Sequence, residues 1–234
     1  MLTMIKTIFF DVDNTLYEEK SSKVKAETAV ILSIARKGRV PVEKVYREFE
    51  QSEEDIQKVY GGGANSNNRI LWFQDLVRDL KVKLDPRKLA QLYWDNVLSD
   101  IRPYADVVAI LPELSKEYEL WILTDEFVNL QKRKLKHLGV SKYFKGIISS
   151  SHTGYLKPDK KLFIYALTQA KADKKTSVMI GDHPLRDIKG AKNAGIKSIL
   201  LRRGKYYYYN LTPEITPDAT IKSFFELQSV LKRL

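Results

Sequence analysis

Side chains able to do chemistry stand where apolar runs stop. Asp11 follows the run IKTIFF at residues 5–10, and Asp13 lies two residues further on. Thr124 ends ELWILT (119–124) and Asp125 comes next; Asp182 directly follows SVMIG (177–181), with Asp187 beyond it. Lys157 lies in the segment after GIIS (146–149). This mixture of carboxylates, a hydroxyl and an ammonium suits phosphoryl transfer through a carboxylate nucleophile. Clustered carboxylates bind Mg2+, a hard cation that takes oxygen ligands. Metal and ammonium together would neutralise a phosphate, so that an anionic aspartate can approach phosphorus. A second carboxyl group can supply the leaving-group proton. Thr124 and backbone N–H groups after the first strand can hold the remaining phosphate oxygens, particularly where a helix begins.

Those residues need a scaffold that gathers strand ends. The apolar runs, with SILL (198–201) as a fifth, are four to six residues long and mostly apolar, the pattern of strands buried on both faces of a parallel sheet. Segments of helical period lie between them, at 105–117, 126–138, 159–171 and 187–194, and 222–233 closes the chain. Strand alternating with helix predicts a doubly wound α/β domain, in which ligands bind at the carboxyl ends of the strands. Residues 18–97 break the rhythm with no convincing strand. Four helices are readable there. The first spans about 21–37 and stops at Gly38, and the second starts with Pro41. The third carries Ile70, Phe73, Val77 and Leu80 on one face, and Asp85-Pro86 caps the fourth. The expected organisation is a core of 1–17 and 98–234 with an inserted helical domain of 18–97.

Composition narrows the partners. The 234 residues carry 40 Lys plus Arg against 29 Asp plus Glu, a formal charge of +11, which favours anionic ligands. Cysteine is absent, which removes disulfides, zinc-thiolate sites and cysteine nucleophiles together. No apolar run approaches the roughly 20 residues of a membrane helix, and the N-terminal run is too short for a signal peptide. A cytoplasmic protein, monomer or homodimer, with no membrane partner is expected.

Taken in order, these residues resemble the four motifs of the haloacid dehalogenase (HAD) superfamily. Asp11-Val12-Asp13-Asn14-Thr15 is similar to the first, DxDx(T/V); Thr124 to the second; and Lys157 before Pro158-Asp159 to the third. Gly181-Asp182 through Asp187 is similar to the fourth, GDxxxxD. The resemblance covers about 1–17 and 98–234, and the helical insert sits where the family places its C1 cap. It implies a three-layer αβα core and a Mg2+-dependent phosphatase acting on a small phosphorylated metabolite, such as a triose, glycolate, sugar or nucleotide phosphate. By the same resemblance Asp11 is the nucleophile that becomes an aspartyl-phosphate. Asp13 is the general acid/base, and its carbonyl is a metal ligand. Thr124 and the Asp125 N–H bind phosphate, while Lys157 positions nucleophile and phosphate. Asp11 and Asp182 hold Mg2+, supported by Asp187. The sequence departs from the family after Thr124, where Glu126 stands in place of the commoner glycine. A 2-haloacid dehalogenase is a rival, disfavoured because dehalogenases of this type lack the second aspartate. A phosphomutase and a basic nucleic-acid-binding protein on the same fold are two further rivals. Nucleic acid is not the expected partner, because a pure binder has no need of a nucleophile, an acid and metal ligands together.

Outside the motifs, the Lys132-Arg133-Lys134…Lys136 run reads as a solvated helix face, and the four tyrosines 206–209 as a loop after the last strand. His137, His152 and His183 read as structural. The Gly61–Asn68 segment reads as a flexible loop in the cap, with Asn65, Asn67 and Arg69 as candidates for substrate selection.

Overall fold

The computed structural model describes residues 4–60 and 64–234. The chain divides into two compact units, one of Met1–Glu19 with Arg102–Leu234 and one of Lys20–Ile101.

The first unit is built on a six-stranded parallel sheet. Its strands are β1 (Thr7–Phe10), β2 (Glu119–Thr124), β3 (Gly146–Ser149), β4 (Ser177–Gly181), β5 (Lys197–Leu201) and β6 (Ala219–Ile221), in the spatial order β3-β2-β1-β4-β5-β6. The chain builds outward from β1 to β3, then crosses back to β4 on the other side of β1. That reversal is the topological switch at which open α/β sheets bind ligands. Alternation explains why β1 is apolar throughout: Phe9 belongs to a cluster with Leu123, Ile148, Phe163 and Met179 on one face. Phe10 packs on Phe144 and Phe224 from the other, at ring distances of 5.9 and 5.6 Å. Each such buried side chain contributes about 2 kcal/mol. β6 is a sixth strand beyond the five expected.

In the second unit α1 (Lys20–Gly38), α2 (Val42–Tyr60), α3 (Arg69–Asp79) and α4 (Pro86–Asp100) pack together, α1 against α2 and α4, and α3 against α2 and α4. Phe49, Phe73 and Tyr93 pack in its core as tilted rings with centroids 6.2 and 6.1 Å apart. Asn68 and Asp85 cap α3 and α4 by accepting from the amides of Ile70 and Arg87. The buried face of α3 is Trp72, Phe73, Leu76 and Val77; Ile70, expected there, is exposed, because it lies at the helix start and off that stripe. Residues 64–67 form a 3-10 turn, while Gly61, Gly62 and Gly63 of the expected loop lie outside the described residues.

The first unit also carries α5 (Ala105–Glu117), α6 (Val128–His137), α7 (Lys160–Ala170), α8 (Lys189–Ala194) and α9 (Leu227–Leu231). α8 is entered through a π-type turn, Pro184–Ile188, where a regular helix from 187 is expected. Among the described residues no helix is long and apolar enough to cross a membrane.

Candidate active site

Register decides which side chains meet. Phe10 pairs with Ile122 on one side and Ile180 on the other, so Asp11, Thr124 and Asp182 all emerge at the carboxyl edge of the three central strands. The Asp11 amide still donates to Ile180 O at 2.9 Å, extending the sheet to the aspartate itself. Beyond it the chain turns sharply. Asn14 takes the left-handed conformation (φ 61°), which Asn tolerates better than most residues, and its Oδ1 accepts from the Glu19 amide at 3.1 Å.

Lys157 reaches this edge from the segment after β3. Its Nζ donates to Asp11 Oδ1 and Asp187 Oδ1, both at 2.7 Å, and to Leu123 O at 3.3 Å. An ammonium has three donors, so all are directed at protein oxygens, and what remains for a ligand is its charge. The backbone of Lys157 is anchored as well, its amide donating to Asp125 Oδ1 at 2.8 Å. Asp125 therefore fixes the lysine through its side chain, in addition to the backbone role expected of it. Asp187 is fully buried, and its second oxygen accepts from the His183 amide at 3.1 Å. It can sit there because residue 181 is glycine: a Cβ on Gly181 would lie 2.1 Å from that oxygen.

Asp11, Asp182 and Asp187 each bring a carboxylate oxygen within 4.8 Å of the others. Lys157 offsets only part of that negative charge. Burial pushes the Asp182 carboxyl up to about 9, helped by the charges of Asp11 and Asp187. Burial likewise lifts Asp11 to about 6 against the pull of Lys157. One buried oxygen of Asp182 has no hydrogen-bond partner. An orphaned carboxylate oxygen in a cluster with surplus negative charge is what a hard divalent cation would satisfy. The donor set, all oxygen, fits Mg2+.

Asp13 is held by a different set of donors. Its Oδ1 accepts from Lys134 Nζ at 2.6 Å and from the Tyr17 hydroxyl, and its Oδ2 from Gln131 Nε2 at 3.3 Å. Burial works to raise the Asp13 carboxyl, but the Lys134 ammonium and these three hydrogen bonds outweigh it and hold it below the usual carboxylate range. The basic run on α6 is thus not a uniform solvated face. Lys132, Arg133 and Lys136 are exposed, whereas Lys134 is 2% exposed and lies in the buried stripe of Leu130, Gln131 and Leu135. Helical spacing alone carries that signal, since 130, 131, 134, 135 and 138 share one face.

Thr124 is set by the same helix. Its Oγ1 accepts from Gln131 Nε2 at 2.9 Å and from the Glu126 amide at 3.1 Å. With both lone pairs taken, its O–H is the donor left for a ligand oxygen. Glu126, standing where the family commonly has glycine, folds onto its own turn: Oε1 accepts from the Phe127 amide at 2.9 Å. Ser149 and Ser150 hold the turn from below, donating to the carbonyls of Glu126 at 2.6 Å and Asp125 at 2.8 Å. His183 caps the π-type turn and stacks on Tyr206 at 4.1 Å.

Asn65, Asn67 and Arg69 lie in the helical unit. Asn65 is exposed and Asn67 half-buried in the 3-10 turn. The Arg69 guanidinium lies 3.7 Å over the Trp72 ring, with Tyr93 and Trp94 beside it at 5.0 and 5.7 Å.

The family model of haloacid dehalogenase-like hydrolases matches residues 5–195, which contain every member of this cluster. The chain is 30% identical to the glyceraldehyde 3-phosphate phosphatases of Methanopyrus kandleri and Methanocaldococcus jannaschii, over 99% of each chain. Among solved structures, a 2-haloacid dehalogenase from Pseudomonas syringae pv. Tomato DC3000 superposes with a TM-score of 0.76 at 28% identity, covering 98% of this chain and 99% of its own. The four motifs, in order on one sheet edge, and a family match over most of the length place this chain in the haloacid dehalogenase-like hydrolase family.

Proposed function

We propose that the chain hydrolyses phosphate monoesters of small metabolites, with Asp11 as nucleophile. The observation that carries this reading is Asp11 itself, a buried carboxylate gripped on one oxygen by Lys157 and standing beside an orphaned carboxylate oxygen of Asp182. The phosphatase names of the full-length relatives support it, and they favour a triose phosphate among the substrates to be tried first.

In this reading Thr124 donates a hydrogen bond from its hydroxyl to a phosphate oxygen and Lys157 holds Asp11 in line with phosphorus. The Asp11 carboxylate forms a bond to phosphorus as the ester P–O bond breaks, its electron pair leaving with the alcohol oxygen. Asp13 gives that oxygen a proton. The approach of an anionic phosphate favours the protonated form that does so, and the Lys134 pair favours the ionised form that follows. Ionised Asp13 then takes a proton from the water that attacks the aspartyl-phosphate, releasing inorganic phosphate and restoring Asp11. Asp11, Asp182 and the Asp13 carbonyl are the groups to hold Mg2+, supported by Asp187; once bound it supplies positive charge against the phosphate oxygens. The helical unit serves as the cap, with Asn65, Asn67 and Arg69 selecting the metabolite.

Phosphate release from a metabolite panel and from p-nitrophenyl phosphate, with and without Mg2+, tests the reading. Hydrolysis that needs Mg2+ and disappears in Asp11→Asn is the expected result. Near-normal activity in Asp11→Asn would remove Asp11 from the nucleophile role, and halide release from 2-chloropropionate without phosphate release would move the chain to dehalogenation.

A further inference from the structure

Lys134 is an expensive residue where it stands. Burying an ammonium costs several kcal/mol unless a partner compensates it, and its neighbours on the buried stripe, Leu130 and Leu135, are aliphatic. The main compensation is the carboxylate of Asp13, 121 positions away in the sequence, with the charges of Glu126 and Glu19 adding to it. Two further donors converge on the same carboxylate. Tyr17, fully buried, hydrogen-bonds the oxygen that Lys134 holds, and Gln131, fully buried one turn before Lys134, holds the other. Gln131 also holds Thr124, so a single helix face ties the candidate acid/base to the candidate phosphate-binding hydroxyl. Each catalytic carboxylate thus has its own buried lysine, Lys157 for Asp11 and Lys134 for Asp13.

We propose that Lys134, with Tyr17 and Gln131, is the positioning residue for proton transfer at Asp13, fixing its carboxylate between two donors on one oxygen and one on the other. This rests on the phosphatase reading above. A carboxyl group that must meet the leaving oxygen at hydrogen-bond distance loses rate when it is free to rotate, since misplacement by about 1 Å costs on the order of 100-fold. The step it serves is the departure of the alcohol: the P–O bond breaks toward oxygen, and the proton on Asp13 passes to that oxygen. Lys134 itself touches neither phosphorus nor leaving group.

The consequence is a dependence on leaving-group quality. The quantity kcat/KM covers the steps through alcohol departure, and p-nitrophenolate leaves with little help, whereas phenolate, with a pKa of about 10 as in tyrosine, needs a proton. Phenyl and p-nitrophenyl phosphate are nearly alike in shape, so their ratio isolates proton transfer. In Lys134→Met, kcat/KM for phenyl phosphate falls about 30-fold or more and that for p-nitrophenyl phosphate about 3-fold. Lys134→Arg keeps the ratio close to wild type. Tyr17→Phe, which removes one hydroxyl and no charge, shifts the ratio in the same direction by a smaller factor. Parallel losses on both substrates, or none, in Lys134→Met overturn the inference and leave a structural ion pair. Should Lys134→Met fail to fold, an unchanged ratio in Tyr17→Phe overturns it equally. Failure of the underlying reading looks different: the wild-type protein then shows no Mg2+-dependent hydrolysis of p-nitrophenyl phosphate at all.

Discussion

Asp106 offers a prediction whose sign and size both follow from its surroundings. It is buried at the start of α5, and a single oxygen accepts from the Ser223 hydroxyl at 2.6 Å, from the Phe224 amide at 2.7 Å and from Arg203. Burial works to raise this carboxyl, but Ser223, Phe224 and Arg203 together hold it below the usual carboxylate range. A depressed carboxyl contributes stability that is fully present above the unfolded value near 4 and is lost as pH falls through the folded one. Asp106→Asn keeps the shape and removes the charge, leaving Arg203 half-buried without its carboxylate. Taking one partner from a largely buried ion pair costs about 3 kcal/mol, the low end of the usual range, because the amide oxygen retains some hydrogen bonding. Urea unfolding of the sheet unit, followed by near-ultraviolet circular dichroism, should show that loss at pH 7 with an unchanged slope. Below about pH 4 the unfolded state takes up a proton before the folded one does, so the difference between the two proteins should narrow as pH falls. A difference below about 1 kcal/mol at pH 7, or one that stays constant down to pH 3, would refute the argument.

Three further outcomes follow from other contacts in the sheet unit. Asp125→Ala should destabilise by about 2 kcal/mol through the lost bond to the Lys157 amide and should lower phosphatase activity, whereas Asp125→Asn, which keeps an acceptor oxygen, should do neither strongly; equal behaviour of the two in unfolding and turnover would contradict the anchoring role. Gly190→Ala would put a Cβ 2.3 Å from the buried Phe163 ring, so unfolding experiments should show a loss of about 2 kcal/mol from overpacking. Mg2+ should raise the melting temperature of the wild-type protein by mass action and leave that of Asp182→Ala nearly unmoved; equal stabilisation of both in calorimetry would remove Asp182 from the metal site.

The parts of this molecule legible in its sequence are those whose signals are local. Five strands stand out because a strand buried on both faces is apolar at most positions, and Asp11, Thr124 and Asp182 stand out at their ends. β6 gives no such signal: ATI is three residues long at the sheet edge, and only Ile221 is buried. The π-type turn at Pro184–Ile188 is also hidden, since the demand that Asp187 lie over Gly181 comes from packing and leaves no periodic trace. Lys134 misleads for a related reason. Charge density on α6 argues for solvent, while the carboxylate that pays for its burial lies on another element. Gln131, Ser149 and Ser150 are polar residues of ordinary type, and only the fold shows that they hold the two turns at the site.

The first strand is also the one that must wait longest for its neighbours. Thr7 pairs with Glu119, so β1 cannot join the sheet until the whole helical insert has been spanned. The chain leaves and returns at nearly one point: Tyr17 bridges to Pro103, and the Tyr104 amide donates to Leu16 O at 3.0 Å. The insert itself is all helical, and the packing of α1 against α4 holds its two ends together. Once it has collapsed, its two ends are already close, and β1 and β2 are separated by an effective loop about four times shorter than the covalent chain. The closure cost then falls by about 1.2 kcal/mol, roughly an eightfold gain in the rate of pairing. The same residues proposed to select the substrate therefore belong to a segment whose collapse would bring the strand of the proposed nucleophile, Asp11, to its neighbour in the sheet.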